Sequence, residues 1–294
     1  MAAQLKLVHS TPPVVLAAPP PAPATSIAFK PDSIWQQRGT SFMHSVLPPM
    51  AGIIILLTVW MLAASNSAYL PGPGKTWTSA VELFSDPFYQ HGPNDQGIAW
   101  NLIASLIRVA KGFGLALIVG VPLGFLIGRF APLNAALRPI IGLFKPVAPL
   151  AWLPIGLAIF QAAGPAAIFT IFICAIWPLI INTALGVASV PQDYLNVARV
   201  LRLPEWKVFT HILLPASIPY VLTGAKLSLG IAWLAIVASE MLTGGTGIGF
   251  WLWDEWNNLN MEHILIAIGV IGLVGMLIEK GMTAIANRFD YQAK

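Results

Sequence analysis

Residues 196–215 read NVARVLRLPEWKVFTHILLP, and they interrupt an otherwise apolar chain with Arg199, Arg202, Lys207, His211 and two prolines. Pro191 can open a first short helix, because a residue without an N–H loses nothing in the first turn, and Tyr194, Ala198 and Leu201 then share one face. Pro204 ends that helix and opens a second, with Glu205 suited to its positive N-terminal end and Trp206, Phe209 and Leu213 aligned on one side. Pro215 and Pro219 are expected to close the unit. The segment 189–219 is therefore expected to be an amphipathic helical pair in a loop between two membrane spans. Two roles suit it: lying on anionic headgroups, or acting as a handle for another protein.

On either side the chain turns apolar. Of its 294 residues 56% are hydrophobic and 10% charged, against about 25% charged in an ordinary soluble domain. Apolar blocks at 46–65, 98–129, 139–162, 164–188, 220–243 and 263–285 are long enough, at about 1.5 Å per residue, to cross a hydrocarbon core of about 30 Å. An all-α membrane protein of six transmembrane helices is expected over residues 41–294, with both termini on one side. Residues 1–40 are read as a disordered cytoplasmic tail, since six prolines between 11 and 23 forbid a signal peptide or a span there. The polar stretch 66–97, with Asp86, His91, Asn94 and Asp95, is read as an external loop carrying short helices.

The charge pattern sets an orientation. The net charge is +4, and the basic residues cluster beside apolar spans, which argues for membrane topology rather than nucleic acid. With cytoplasmic termini, all of the sixteen Lys and Arg residues but Lys75, Arg108 and Lys111 fall inside. A plasma-membrane protein of a bacterium is expected on this reading. Gly112, Ala116, Gly120, Gly124 and Gly128 recur every fourth residue, and Gly224, Ser228 and Ala232 repeat the pattern in a later block, giving smooth faces where helices can approach.

Several chemistries are excluded. The single cysteine, Cys174, lies in an apolar run and is read as packing. GPGKT at 72–76 lacks the first glycine of a phosphate-binding loop, that position being Tyr69, and GGTGIG at 244–249 has no flanking βαβ unit. Asp254, Glu255, Glu262 and His263 are neighbours in sequence without convergent metal spacing. No cluster of catalytic carboxylates, histidines or serines stands on facing helices, and no inverted repeat marks a secondary transporter.

A buried charge in lipid is costly enough to suggest a purpose. Lys145 stands in the third apolar block where Pro146 and Pro149 break backbone pairing, and freed backbone groups are tolerated where they line a cavity. It either attracts an anion or snorkels to the interface. Trp152, Trp177 and Asn182 can offer donors on the same path, or serve as packing. Glu240 would not bind an anion and is assigned a structural or gating hydrogen bond, with Arg108 or Lys111 as partner.

The loop also resembles the cytoplasmic signature of permease subunits of ATP-binding-cassette importers: Glu-Ala-Ala, three residues, Gly, nine residues, Ile-x-Leu-Pro. Asn196, Val197 and Ala198 occupy the first three positions, Arg202 the glycine position, and Ile212, Leu214 and Pro215 the end, with every spacing intact. Asn replaces Glu, and Arg replaces the Gly best suited to a left-handed turn. SLIRVAKGFGLALIVGVPLGFLIG from Ser105, PLAWLPIGLAIF from Pro149 and GGTGIGFWLWD from Gly244 are similar to core segments of the same family. Within it the chain looks closest to the nitrate, bicarbonate, sulfonate and taurine branch, above all to nitrate and bicarbonate permeases, through HGPNDQGIAWNL, SVPQDYLNVARVL and AIVASEMLTGG. The resemblance implies a type I importer-like permease fold, a homodimer, two ATP-binding subunits that hold the ATP and Mg, an external solute-binding protein or lipoprotein, and a small inorganic anion as cargo. It implies no cofactor on this chain. It places ATPase coupling on Asn196, Val197, Ala198, Arg199, Arg202, Trp206, Phe209, Ile212, Leu214 and Pro215.

Overall fold

The structure, a computed structural model, describes residues 34–67, 69–92 and 95–289. Asn94 and most of the expected tail lie outside these described residues. Helix α1 (Ile34–Ser65) starts within the segment read as tail, where no proline stands between Pro31 and Pro48 to stop it. Its portion 47–65 is long and apolar enough to cross a membrane.

Residues 57–294 form the larger of two compact units. Helix α2 (Pro73–Leu83) has its proline in the first turn and lies in the polar stretch between spans. Helix α3 (Ile98–Arg129) is followed by α4 (Ala131–Phe144) and α5 (Pro149–Phe160), which meet at a 99° bend. The block 139–162, expected as one span with its backbone pairing broken at Pro146 and Pro149, is a pair of helices bent at that break. Helix α6 (Ala163–Ala188) is next, and its buried face includes Ile171, Leu179 and Thr183. Among the described residues five helices are long and apolar enough to span, or six if the bent pair counts as one span.

The loop after α6 holds α7 (Gln192–Val200) and α8 (Glu205–Val208), capped by Pro191 and Pro204. A π-helical turn (Phe209–Leu213) then carries the chain directly into α9 (Leu214–Thr243). Pro215 and Pro219 therefore do not close the loop. Pro215 sits in the first turn of α9, immediately after the wider π turn, where Leu214 N–H bonds back to the Phe209 carbonyl. That shift of register absorbs the missing donor. Residues 205–243 form one unbroken apolar helix. A glycine turn follows, then α10 (Ile248–Asn257) and α11 (Met261–Phe289).

Helix α6 is held between α3 and α9 by the small residues of its neighbours. A Cβ on Gly112 would stand 2.6 Å from Ile171, and one on Gly124 2.5 Å from Thr183. On the other side a Cβ on Gly224 would stand 2.9 Å from that of Asn182, while the Ser228 hydroxyl donates to the Ala175 carbonyl at 2.6 Å. Backbone contact this close is what small-residue stripes permit where lipid offers no hydrophobic drive for helix association.

Candidate functional site

The loop is built on a small core. Ala198, Val208 and Leu213 are buried together with Phe125 of α3, and Leu195, Leu203, Ile212 and Leu214 pack against them. Phe209 meets Phe125 edge-on at 5.0 Å between ring centres, and Arg129 at the end of α3 binds Glu205 at 3.0 Å. Tyr194, Ala198 and Leu201 do not act as one face: Ala198 turns inward, whereas Tyr194 and Leu201 stay exposed alongside Val197 and Val200. Trp206 is 61% exposed. The outer surface thus mixes these apolar groups with Arg199, which donates to the Asn196 side chain at 3.1 Å, and with Arg202 and Lys207. It has the make-up of a protein-docking surface, aromatic and basic groups over a fixed base.

Arg202 adopts the left-handed conformation its residue type disfavours, with φ of 48°. Its N–H bonds the Arg199 carbonyl and the Leu203 N–H reaches the Ala198 carbonyl, both at 3.0 Å. This is the double closure of a Schellman end, with Leu203 packed beside Ala198. The turn survives without glycine because those two bonds and the buried leucine hold it.

Lys145 caps the C-terminal end of α4, where its charge suits the helix dipole, and is exposed. It lines a cavity of about 350 Å³ with Pro146, Pro149, Cys174, Trp177 and Leu234. Phe144 stacks on Trp177 at 6.3 Å and contacts Trp152 at 5.5 Å, so one ring gathers both indoles beside the lysine. Both indole N–H groups are buried without an acceptor among the described residues, a costly condition that calls for an explanation. Asn182 does not join them; its amide donates to the Pro178 carbonyl at 2.8 Å and its Cβ faces Gly224.

At the opposite end of α9, Glu240 is 1% exposed. One carboxylate oxygen accepts from Arg108 at 2.6 Å; the other accepts from Ser105 at 2.7 Å and from the Gly249 N–H at 3.1 Å. Arg108 also donates to the Thr246 carbonyl and hydroxyl, Asn101 accepts from the Gly247 N–H, and Ser105 accepts from the Ile248 N–H. Lys111 is exposed and takes no part. Gly247, at φ 138°, lets the turn press on the Glu240 carboxylate, where a side chain would collide. The sequence points to Glu240 and Arg108 but not to Asn101, Ser105 or Thr246: the first two share a face of α3 with Arg108 at four- and three-residue spacing, Thr246 lies in the glycine turn, and neither stretch signals the other until the turn folds back. Beyond it, His263 stacks on Trp251 and pairs with Glu255 at 3.0 Å, and Lys75 pairs with Glu262 at 2.5 Å. No metal-binding cluster exists among the described residues.

A bundle of apolar spans interrupted by a short helical loop packed on α3 suits a membrane transport subunit. The chain belongs to the family of binding-protein-dependent transport system inner membrane components, whose model matches residues 120–289. It is 48% identical over 242 residues to the nitrate import permease protein NrtB of Leptolyngbya laminosa, spanning 82% of this chain and 87% of that one. It is 46% identical to NrtB of Synechocystis over 82% and 88% of the two chains, and 44% identical to the bicarbonate transport system permease protein CmpB of Synechococcus elongatus over 84% and 88%. In fold it is similar to the inward-facing MetNI methionine ABC transporter, with a TM-score of 0.57 at 15% identity over 65% of this chain and 95% of that one. An amino acid ABC transporter gives a TM-score of 0.51 at 14% identity, over 72% and 97%. The fold is that of a type I ABC importer permease, and the chain is a multi-pass inner-membrane transport subunit rather than an enzyme.

Proposed function

We propose that this chain is the membrane-spanning subunit of an ATP-driven importer of a small oxyanion, nitrate or nitrite first. The observation that carries the reading is the 48% and 46% identity to nitrate import permeases over more than four-fifths of each chain. The bicarbonate permease at 44% supports bicarbonate as the second reading.

Two copies of the chain surround one pathway, with both termini cytoplasmic, and two ATP-binding subunits carry the nucleotide and Mg. A solute-binding protein or lipoprotein delivers the anion from outside. The ATPases grip the loop at Tyr194, Leu201 and Trp206, and their closure tilts the 205–243 helix between inward and outward states. Lys145 attracts the anion, and the indole N–H groups of Trp152 and Trp177 become its donors when the bent α4–α5 pair moves.

The test is ATP-dependent uptake in vesicles holding the co-purified complex, with nitrate, nitrite, bicarbonate and taurine in competition. Nitrate and nitrite are expected to compete best; winning competition by taurine, or conduction by the chain alone without ATPases, overturns the reading. Lys145→Ala is expected to abolish uptake while assembly and basal ATP hydrolysis persist.

A further inference from the structure

Lys226 of α9 and Glu279 of α11 both lie within helices suited to span the membrane, and their side chains meet at 3.2 Å. Neither is enclosed: the side chains are 36% and 67% exposed. The charge pattern puts Lys226 toward the cytoplasmic side, where an importer releases its cargo. An open ion pair returns at most about 1 kcal/mol, so the carboxylate holds this lysine loosely enough for another anion to take its place.

The pair borders a cavity of about 350 Å³ whose walls include Gly230, Trp233 and Gly275. Nothing lies within 4 Å of a Cβ built on Gly230, which leaves room there, and a Cβ on Gly275 would crowd the Trp233 indole at 3.1 Å. That indole is fixed by its bond to the Ile271 carbonyl at 3.1 Å, so the wall is rigid. Ile231 and Leu234 line both this cavity and the one that holds Lys145. The two lysines therefore stand on either side of a single α9 ridge.

We infer that Lys226 is a second anion station, where a small monovalent oxyanion leaving the Lys145 cavity exchanges with the Glu279 carboxylate as the partner of Lys226. Glu279 keeps the empty station neutral. An arriving anion must compete with this tethered carboxylate, which makes the second station looser than the first. Passage needs sites that bind well enough to admit the ion and weakly enough to release it. The inference rests on the importer reading and deepens it.

Lys226→Gln and Glu279→Gln, each in the whole complex in vesicles, separate this role from a structural one. Removing the lysine is expected to raise the KM for anion uptake about fivefold or more, and removing the carboxylate to lower KM while slowing maximal uptake. A purely structural pair moves both variants in the same direction. The charge swap K226E/E279K is expected to assemble yet transport poorly; full uptake by the swap overturns the station. The anion on Lys226 could also be the headgroup of a lipid with net negative charge, so the series is repeated in vesicles of phosphatidylcholine, whose headgroup is a zwitterion: loss of the opposed KM shifts there assigns the ligand to anionic lipid and overturns the proposal. Absence of ATP-driven uptake by the wild-type complex overturns the importer reading and this inference with it, whereas wild-type uptake with parallel KM shifts overturns this inference alone.

Discussion

Arg108 reaches Glu240 at 2.6 Å, and twenty-one residues further along the same helix Arg129 reaches Glu205 at 3.0 Å. Helix α3 thus clamps both ends of the unbroken 205–243 helix. The two clamps differ in depth: Glu240 is closed off, whereas the Glu205 side chain is 75% exposed.

That difference predicts unequal effects. Glu240→Ala would strand Arg108, the Ser105 hydroxyl and the Gly249 N–H, and is expected to cost about 3–5 kcal/mol, the usual penalty for an uncompensated buried charge. Glu240→Gln, which retains an acceptor, should cost less, and Glu205→Gln should barely move the midpoint. Thermal unfolding of the purified complex in detergent checks the order.

The left-handed Arg202 predicts a gain from glycine. A non-glycine residue in that region costs about 1–2 kcal/mol, so Arg202→Gly is expected to steady the α7 end by about 1 kcal/mol. Slower hydrogen exchange at the Arg202 and Leu203 amides would register it, and faster exchange would contradict it.

The α3 stripe and its opposite face predict opposite signs. Gly124→Ala drives a methyl into Thr183 and is expected to destabilise by about 1–3 kcal/mol. Gly114 has nothing within 4 Å of its Cβ position, so Gly114→Ala should stabilise by up to about 1 kcal/mol through helix propensity. Midpoints of thermal aggregation for the two variants decide it.

In the loop, Trp206 and Phe209 divide their labour. Trp206→Ala is expected to leave the midpoint unchanged but to release the ATPase subunits during purification. Phe209→Ala removes the ring on Phe125 and, because Phe209 is itself 39% exposed, is expected to cost about 1–2 kcal/mol. Equal subunit retention in wild type and Trp206→Ala would remove that tryptophan from the docking surface.

Much of this was legible in the chain. Apolar length marks the spans, the four-residue glycine spacing marks a face of α3 open to close approach though not the helix that fills it, and Pro191 and Pro204 mark the starts of α7 and α8, because each signal is local. What escaped depended on partners distant in sequence. Pro215 was read as a stop because its missing donor is local, while the π turn that accommodates it emerges only once the loop core is packed. Arg202 was read against a left-handed turn because the leucine that anchors the turn lies outside backbone preference. Asn101 and Ser105 gain value only once the glycine turn, more than a hundred residues away, brings the Gly247 and Ile248 amides over α3, and Thr246 only once that same turn sets its hydroxyl against Arg108.

The uninterrupted run from Glu205 to Thr243 has a mechanical meaning. Thirty-nine helical residues make a rod of about 60 Å, roughly twice the thickness of the oily layer. Pivoting such a beam by about 10° around its midpoint sweeps each tip about 5 Å in opposite directions. A modest push on Trp206 at one tip would therefore arrive, undiminished and reversed in sense, at the glycine turn on the far side.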